Sequence, residues 1–400
     1  MKSRSLKVQQ IEESQTLALT SVARRMKQEG IDVVSLTAGE PDFPTPPHVK
    51  MAAIQAIEEN FTHYTANEGI PDLLKAIVQK FERDNALHFE TSQILVSTGA
   101  KHSIYNALQA ICNPGDEVVI AAPYWVSYPE MAKLVDAKPA IINATHESHF
   151  KITARQLRQA INAKTKAFIF NSPSNPTGAV YSQGEIEELA DVVEETGIYV
   201  ISDEIYEKVI YDGVKHFSIG SIKQVAAQVI TVNGVSKAYA MTGWRIGYLG
   251  AAHDIVQAAA KVQSQMTSNA TSISQRAAVV ALTAPSNDVD TMVAEFKRRR
   301  DFVIENLSKI PGLVIEKPHG AFYLFPSVEA FVGKRYNGSI IKNDSDVCQF
   351  LLEQEHLVAV PGSAFGAKNY LRLSYACSMK ELQKAVERMK RGFKKLAEAY

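Results

Sequence analysis

Between residues 48 and 290 the chain repeats one pattern, a short β-branched run followed by an amphipathic segment. The runs are Ile94–Ser97, Val118–Ala121, Ala140–Asn143, Ala167–Asn171, Tyr199–Ser202, Val229–Val232 and Ile246–Gly250. Strands that alternate with helices form a mostly parallel sheet with helices packed on both faces, an α/β architecture. In such sheets ligands bind outside the carboxyl ends of the strands. The residues just after each run are therefore where chemistry is expected.

After the first run, Thr98-Gly99-Ala100-Lys101-His102 opens an apolar helix. A glycine there reads as an ordinary helix start or as free backbone N–H groups offered to a phosphate. After the second run come Pro123-Tyr124-Trp125-Val126-Ser127-Tyr128, aromatics suited to a core or to stacking on a planar ring. After the fourth, Asn175 sits between prolines in Asn171-Ser172-Pro173-Ser174-Asn175-Pro176-Thr177-Gly178. Asp203 and Tyr206 follow the fifth, where the Asp either caps locally or holds a protonated ring nitrogen. Ser236-Lys237 follows the sixth, with Arg245 eight residues on in Gly243-Trp244-Arg245-Ile246-Gly247. A lysine beside a serine and an arginine reads as solvated surface or as an amine poised to condense with an aldehyde. Arg372 lies inside the apolar run Tyr370–Ala376, and burying a guanidinium calls for an anion, from a ligand carboxylate or an internal acid.

Outside the repeat, residues 1–13 read as a polar arm, and Ser14 or Thr16 caps a helix ending at Gly30. A strand over Asp32–Leu36 runs into Thr37-Ala38-Gly39-Glu40-Pro41-Asp42-Phe43, where Gly39 serves a turn or the close approach of a ligand. Past 290 come a charged helix, hairpin-like material from Pro318 to Pro326, two strands over Leu357–Gly366 and Tyr370–Ala376, and a final amphipathic helix. The expected organisation is an arm (1–13), a small α+β domain (14–47 with 291–400) and a large domain (48–290).

Lys plus Arg and Asp plus Glu both number 43, so no net charge draws the molecule to nucleic acid or an anionic membrane. Cys112, Cys348 and Cys377 are widely spaced and outside any CxxC pattern, which argues against disulfides or a metal site and fits a reducing compartment. No signal-like or membrane-spanning run is evident, so a cytoplasmic protein with small-molecule partners is expected.

Taken in order, Asn175-Pro176-Thr177-Gly178, Asp203 with Tyr206, Ser236-Lys237, Gly243-Trp244-Arg245-Ile246-Gly247, and Arg372 with Ser374 resemble the class I aminotransferases, fold-type I enzymes that use pyridoxal 5'-phosphate. Within that class the strings Thr37–Phe43, Pro123–Tyr128 and Gly320–Tyr323 resemble a bacterial aspartate aminotransferase subgroup that includes aspartate/prephenate enzymes. The resemblance implies that Lys237 bonds the cofactor aldehyde and later moves a proton as general base. It implies that Asp203 pairs with the ring nitrogen and that Asn175 and Tyr206 bond the ring oxygen. Gly99, Ala100, Ser236 and Arg245 would hold the phosphate, with Tyr64 arriving from the second subunit of a homodimer, and Trp125 would stack on the ring. Arg372 would take the substrate α-carboxylate, completed by Gly39, Trp125 and Asn175.

For the distal carboxylate of aspartate or glutamate the resemblance offers Lys101, Ser14 and Thr16. Glu12 departs from relatives that place a basic residue or glutamine there, and an acid disfavours prephenate. The leading expectation is ping-pong exchange between L-aspartate and 2-oxoglutarate. Alternatives are a prephenate or aromatic aminotransferase, a β-lyase, and a non-catalytic sensor, for which residues 1–47 lack a basic helix-turn-helix pattern.

Overall fold

The structure is a computed structural model that describes residues 5–13, 15–336 and 338–398. Its strands in chain order are β1 (Val34–Ser35), β2 (Ile94–Ser97), β3 (Glu117–Ala122), β4 (Lys138–Asn143), β5 (Thr165–Asn171), β6 (Tyr199–Asp203) and β7 (Val229–Gly234). They continue with β8 (Gly247–Gly250), β9 (Tyr323–Leu324), β10 (Arg335–Tyr336), β11 (Ser339–Ile340), β12 (Leu357–Val358), β13 (Val360–Pro361) and β14 (Leu371–Ser374). All seven strands expected between 48 and 290 form one sheet in the order β2-β8-β7-β6-β5-β3-β4. Pairs among β3 to β7 are parallel, while β8 runs antiparallel to both β2 and β7.

The β-branched composition follows from burial on both faces. Val118 and Ile120 point to one side, into a core shared with Ile104, Leu108, Met131 and Ile255. Val119 points to the other, against Ile186, Leu189 and Val193 of the helix Gln183–Thr196. A period of two therefore feeds two cores at once. A further core joins Val34, Leu36, Phe296, Phe322 and Leu373 to Ile205, Tyr206 and Val209, so the loop after β6 packs among the residues of the C-terminal region.

Several local expectations are corrected. The strand over Asp32–Leu36 shrinks to β1, which pairs in parallel with β12. The Pro318–Pro326 segment is not a hairpin: β9 pairs antiparallel with β14, far along the chain. Leu357–Gly366 is not one strand but β12, β13 and a 3₁₀ turn over Gly362–Phe365, with β12 paired to β1 and β13 to β14. Within the arm, Leu6–Gln9 forms a helical turn whose Lys7 bonds Asp136 at 2.7 Å. The helix Gln15–Gln28 contains Thr16 rather than following it as a cap, and Ser14 lies outside the described residues. Among the described residues no helix is long and apolar enough to cross a membrane.

Candidate active site

The carboxyl ends of β5, β6 and β7 open onto a cavity of about 250 Å³, closed from the other side by Gly39, Tyr323 and Arg372. Asn171, at the end of β5, ties two of the loops together. Its Nδ2 donates to the Asp203 carbonyl at 2.9 Å and its Oδ1 accepts the Asn175 N–H at 2.9 Å. Neighbouring parallel strands thus present Asn175 and Asp203 in fixed relation.

Asp203 is buried, and its Oδ2 accepts from the Tyr128 hydroxyl at 2.7 Å while Oδ1 accepts the Ile205 N–H at 3.2 Å. Burial dominates and raises its pKa to about 6, against the lowering effects of those two bonds and of Lys237. A carboxylate held this way gains from a cationic partner. Lys237 Nζ donates to the Gly39 carbonyl at 2.6 Å. Burial brings its pKa down to about 8; Glu40 and Asp203 oppose the shift and Arg245 and Arg372 assist it.

Lys101, Lys237, Arg245 and Arg372 all line this cavity, with Asp203 the one carboxylate lining it among the described residues. Arg372 is buried, and its partners are neutral. Nη1 donates to Asn175 Oδ1 at 3.1 Å and Nη2 to the Thr37 carbonyl at 2.8 Å, while Nε is buried with no partner among the described residues. The guanidinium lies over the Tyr323 and Phe365 rings, 4.6 and 4.9 Å from their centroids. Lys101 Nζ lies 4.8 Å from the Trp125 ring centroid, and burial, helped by Arg245, lowers its pKa.

At the far end Gly99, with φ 86°, begins the helix Ala100–Ile111. A Cβ on Gly99 would stand 2.3 Å from Arg245 Nη2, and one on Gly247 would stand 2.1 Å from the Ala100 nitrogen. Two glycines therefore let an arginine and a helix N-terminus share one small space, where free N–H groups and positive charge favour an anion.

A family model of class I and II aminotransferases matches residues 31–389. The chain belongs to that family. It is 46% identical over 386 residues to the aspartate aminotransferase of Bacillus sp. (strain YM-2), covering 96% of this chain and 97% of that one. The probable aspartate/prephenate aminotransferase of Rickettsia bellii is 45% identical over 390 residues, covering 97% and 98%. Among solved structures, the Rhizobium meliloti aspartate aminotransferase superposes with a TM-score of 0.96 at 43% identity, covering 99% and 100%. The Thermus thermophilus aspartate aminotransferase with maleate gives 0.93 at 40%, covering 98% and 100%.

Of the residues singled out in this aminotransferase by sequence, Thr16, Gly39, Ala100, Lys101, Trp125, Asn175, Asp203, Tyr206, Ser236, Lys237, Arg245 and Arg372 line the cavity. Gly99 adjoins it through Ala100. Glu12 does not line it; it borders an adjoining hollow with Lys101, Tyr124 and Glu130. Tyr64 is 92% exposed and lies outside this chain's own cavity. Eight lining residues were not singled out, Leu17, Val126, Ser127, Ile205 and Thr242 together with three that matter to the hydrogen bonding, Asn171, Tyr128 and Tyr323. Tyr128 and Tyr323 end strings that were noticed, but their hydroxyl partners, Asp203 and Tyr206, are distant in sequence.

Proposed function

We propose that this aminotransferase uses pyridoxal 5'-phosphate to exchange the amino group of L-aspartate with 2-oxoglutarate, giving oxaloacetate and L-glutamate. The observation that carries the reading is the charge set of one cavity: among the described residues, four cations, one buried carboxylate, and an arginine whose Nε lacks a partner. A phosphate and two substrate carboxylates would neutralise that excess. The relatives named above as aspartate aminotransferases support the choice of substrate.

The residues present fit the cofactor. Gly99, Ala100, Ser236 and Arg245 form a cradle that a Cβ at Gly99 would fill, suited to a phosphate. Asp203 would pair with the ring nitrogen, Asn175 and Tyr206 with the ring oxygen, and Trp125 would cover the ring. When bound, the cofactor supplies an electron sink for the Cα carbanion. Lys237 would hold it and, once displaced by the substrate amine, would carry the proton at Cα, a task for an amine with a pKa near the working pH. Asp203 would keep the ring nitrogen protonated. Arg372 fixes the α-carboxylate by charge-assisted bonds, with Gly39 and Asn175 beside it.

Lys101 is assigned to the distal carboxylate, supported by its lining the same cavity as Thr16, with Ser14 assigned by the family pattern. Glu12 sits beside Lys101 in the adjoining hollow, where an added negative charge disfavours the bulkier dianion prephenate. Lys101→Ala should lower kcat/KM for aspartate about 10- to 100-fold, the worth of a hydrogen bond to a charged group, with phenylalanine changed by less than about threefold. Equal losses for both donors would remove the distal-carboxylate role. Exposed Tyr64 is assigned to the phosphate of a second copy, making the working unit a cytoplasmic homodimer without nucleic-acid or membrane partners. Light scattering that found a fully active 44.0 kDa monomer would contradict that assignment.

A further inference from the structure

Tyr323 lies on β9 beside β14, the strand that carries Arg372, in register with Ser374. It is fully buried yet lines the cavity, and its Oη is 2.8 Å from the Tyr206 Oη. Its ring lies under the Arg372 guanidinium at 4.6 Å. A Cβ on Gly39 would come within 3.6 Å of the Tyr323 hydroxyl, so this residue also abuts the loop whose carbonyl accepts from Lys237. One side chain therefore touches the receptor for the α-carboxylate and the phenol assigned to the cofactor ring oxygen.

We propose that Tyr323 is a positioning residue that acts through both neighbours: its hydroxyl donates to Tyr206, and its ring holds Arg372 in place. A phenol has one proton to donate. If Tyr206 gives its proton to the ring oxygen, it accepts from Tyr323, forming the chain Tyr323 to Tyr206 to ring oxygen. Donors in series polarise one another, so Tyr323 strengthens the Tyr206 bond and lowers the basicity of the ring oxygen and of the linkage to Lys237. Burial raises the pKa of both phenols, which keeps both protons in place at neutral pH.

This inference rests on the cofactor reading above, and the test separates the two. Wild type, Tyr323→Phe and Tyr323→Leu, each loaded with pyridoxal phosphate, are titrated with pH while the absorbance of the lysine-bound cofactor is followed. Maleate dissociation constants are measured alongside. Tyr323→Phe removes the hydroxyl and keeps the ring: the spectral pKa should rise by about 0.1–0.6 unit, from the roughly 10–30% strengthening that one donor in series gives a charge-assisted bond, while maleate binding changes less than about threefold. Tyr323→Leu should show the same rise and also weaken maleate about tenfold, as the cation–π contact is lost. A normal wild-type titration with an unshifted Tyr323→Phe overturns the hydroxyl role, and unchanged maleate binding in Tyr323→Leu overturns the ring role. A wild-type protein with no Lys237-dependent absorbance would overturn the cofactor reading and this inference with it.

Discussion

Lys237 can accept a proton only as the neutral amine, and an exposed lysine is almost wholly charged at neutral pH. Burial first, with Arg245 and Arg372 adding repulsion, brings its pKa to about 8 against the opposing pull of Glu40 and Asp203. In cofactor-free protein, reaction of Lys237 with an amine-directed reagent should therefore rise to half-maximum near pH 8, followed by peptide mapping. A midpoint near the ordinary lysine value of about 10.4 would show that the enclosure does not tune the amine. At this scale the sequence was readable wherever a polar residue broke an apolar pattern. Lys237 and Asp203 follow buried runs, and Arg372 interrupts one. Tyr128 and Tyr323 gave no such signal, because an aromatic is at home in a core and its hydroxyl partner is set by tertiary packing.

Elements were legible in proportion to how much of their environment is local. The strands of the main sheet are buried on both faces by their own flanking helices, so their β-branched runs stood out. The two-residue strands β1, β9, β12 and β13 find their partners elsewhere, β1 on β12, and both β13 and β9 on β14, so the runs that hold β1, β12 and β13 read as longer strands than they form and β9 read as part of a hairpin. What the sheet does for the site is clearest at β8. Gly247 pairs with Ser97 and Gly234, and lets the start of the helix Ala100–Ile111 approach to where a Cβ would stand 2.1 Å from the Ala100 nitrogen. Gly247→Ala should push that helix start out of place, an overpacking effect of about 1–3 kcal/mol, and weaken pyridoxal phosphate about tenfold or more in an equilibrium titration. Unchanged affinity would mean that the Gly99–Ala100 backbone does not bind the phosphate.

At the scale of the molecule, the loops after β5, β6 and β7 meet Gly39, Tyr323 and Arg372 across a single cavity. On the proposed reading, cofactor groups would fall to the sheet side and the substrate carboxylate to the other, so the fold would separate the two tasks. The fold class was visible from the order of motifs along the chain. The polar network behind the site was not: Glu204 accepts from Ser202, Ser218 and Asn85 and meets His216 at 2.8 Å, while Lys80 pairs with Glu207, pinning residues 202–207 from the face opposite Asp203. Buried charges joined from separate elements give no local signature. The central claim, that this cavity moves an amino group from aspartate by way of Lys237, is tested most directly by a half-reaction. The protein loaded with pyridoxal phosphate is mixed with L-aspartate and no 2-oxo acid, and the products are quantified. The account predicts about one equivalent of oxaloacetate per chain, then glutamate on adding 2-oxoglutarate, and neither with Lys237→Ala. Release of carbon dioxide with alanine, or of ammonia, or undiminished turnover by Lys237→Ala, would contradict it.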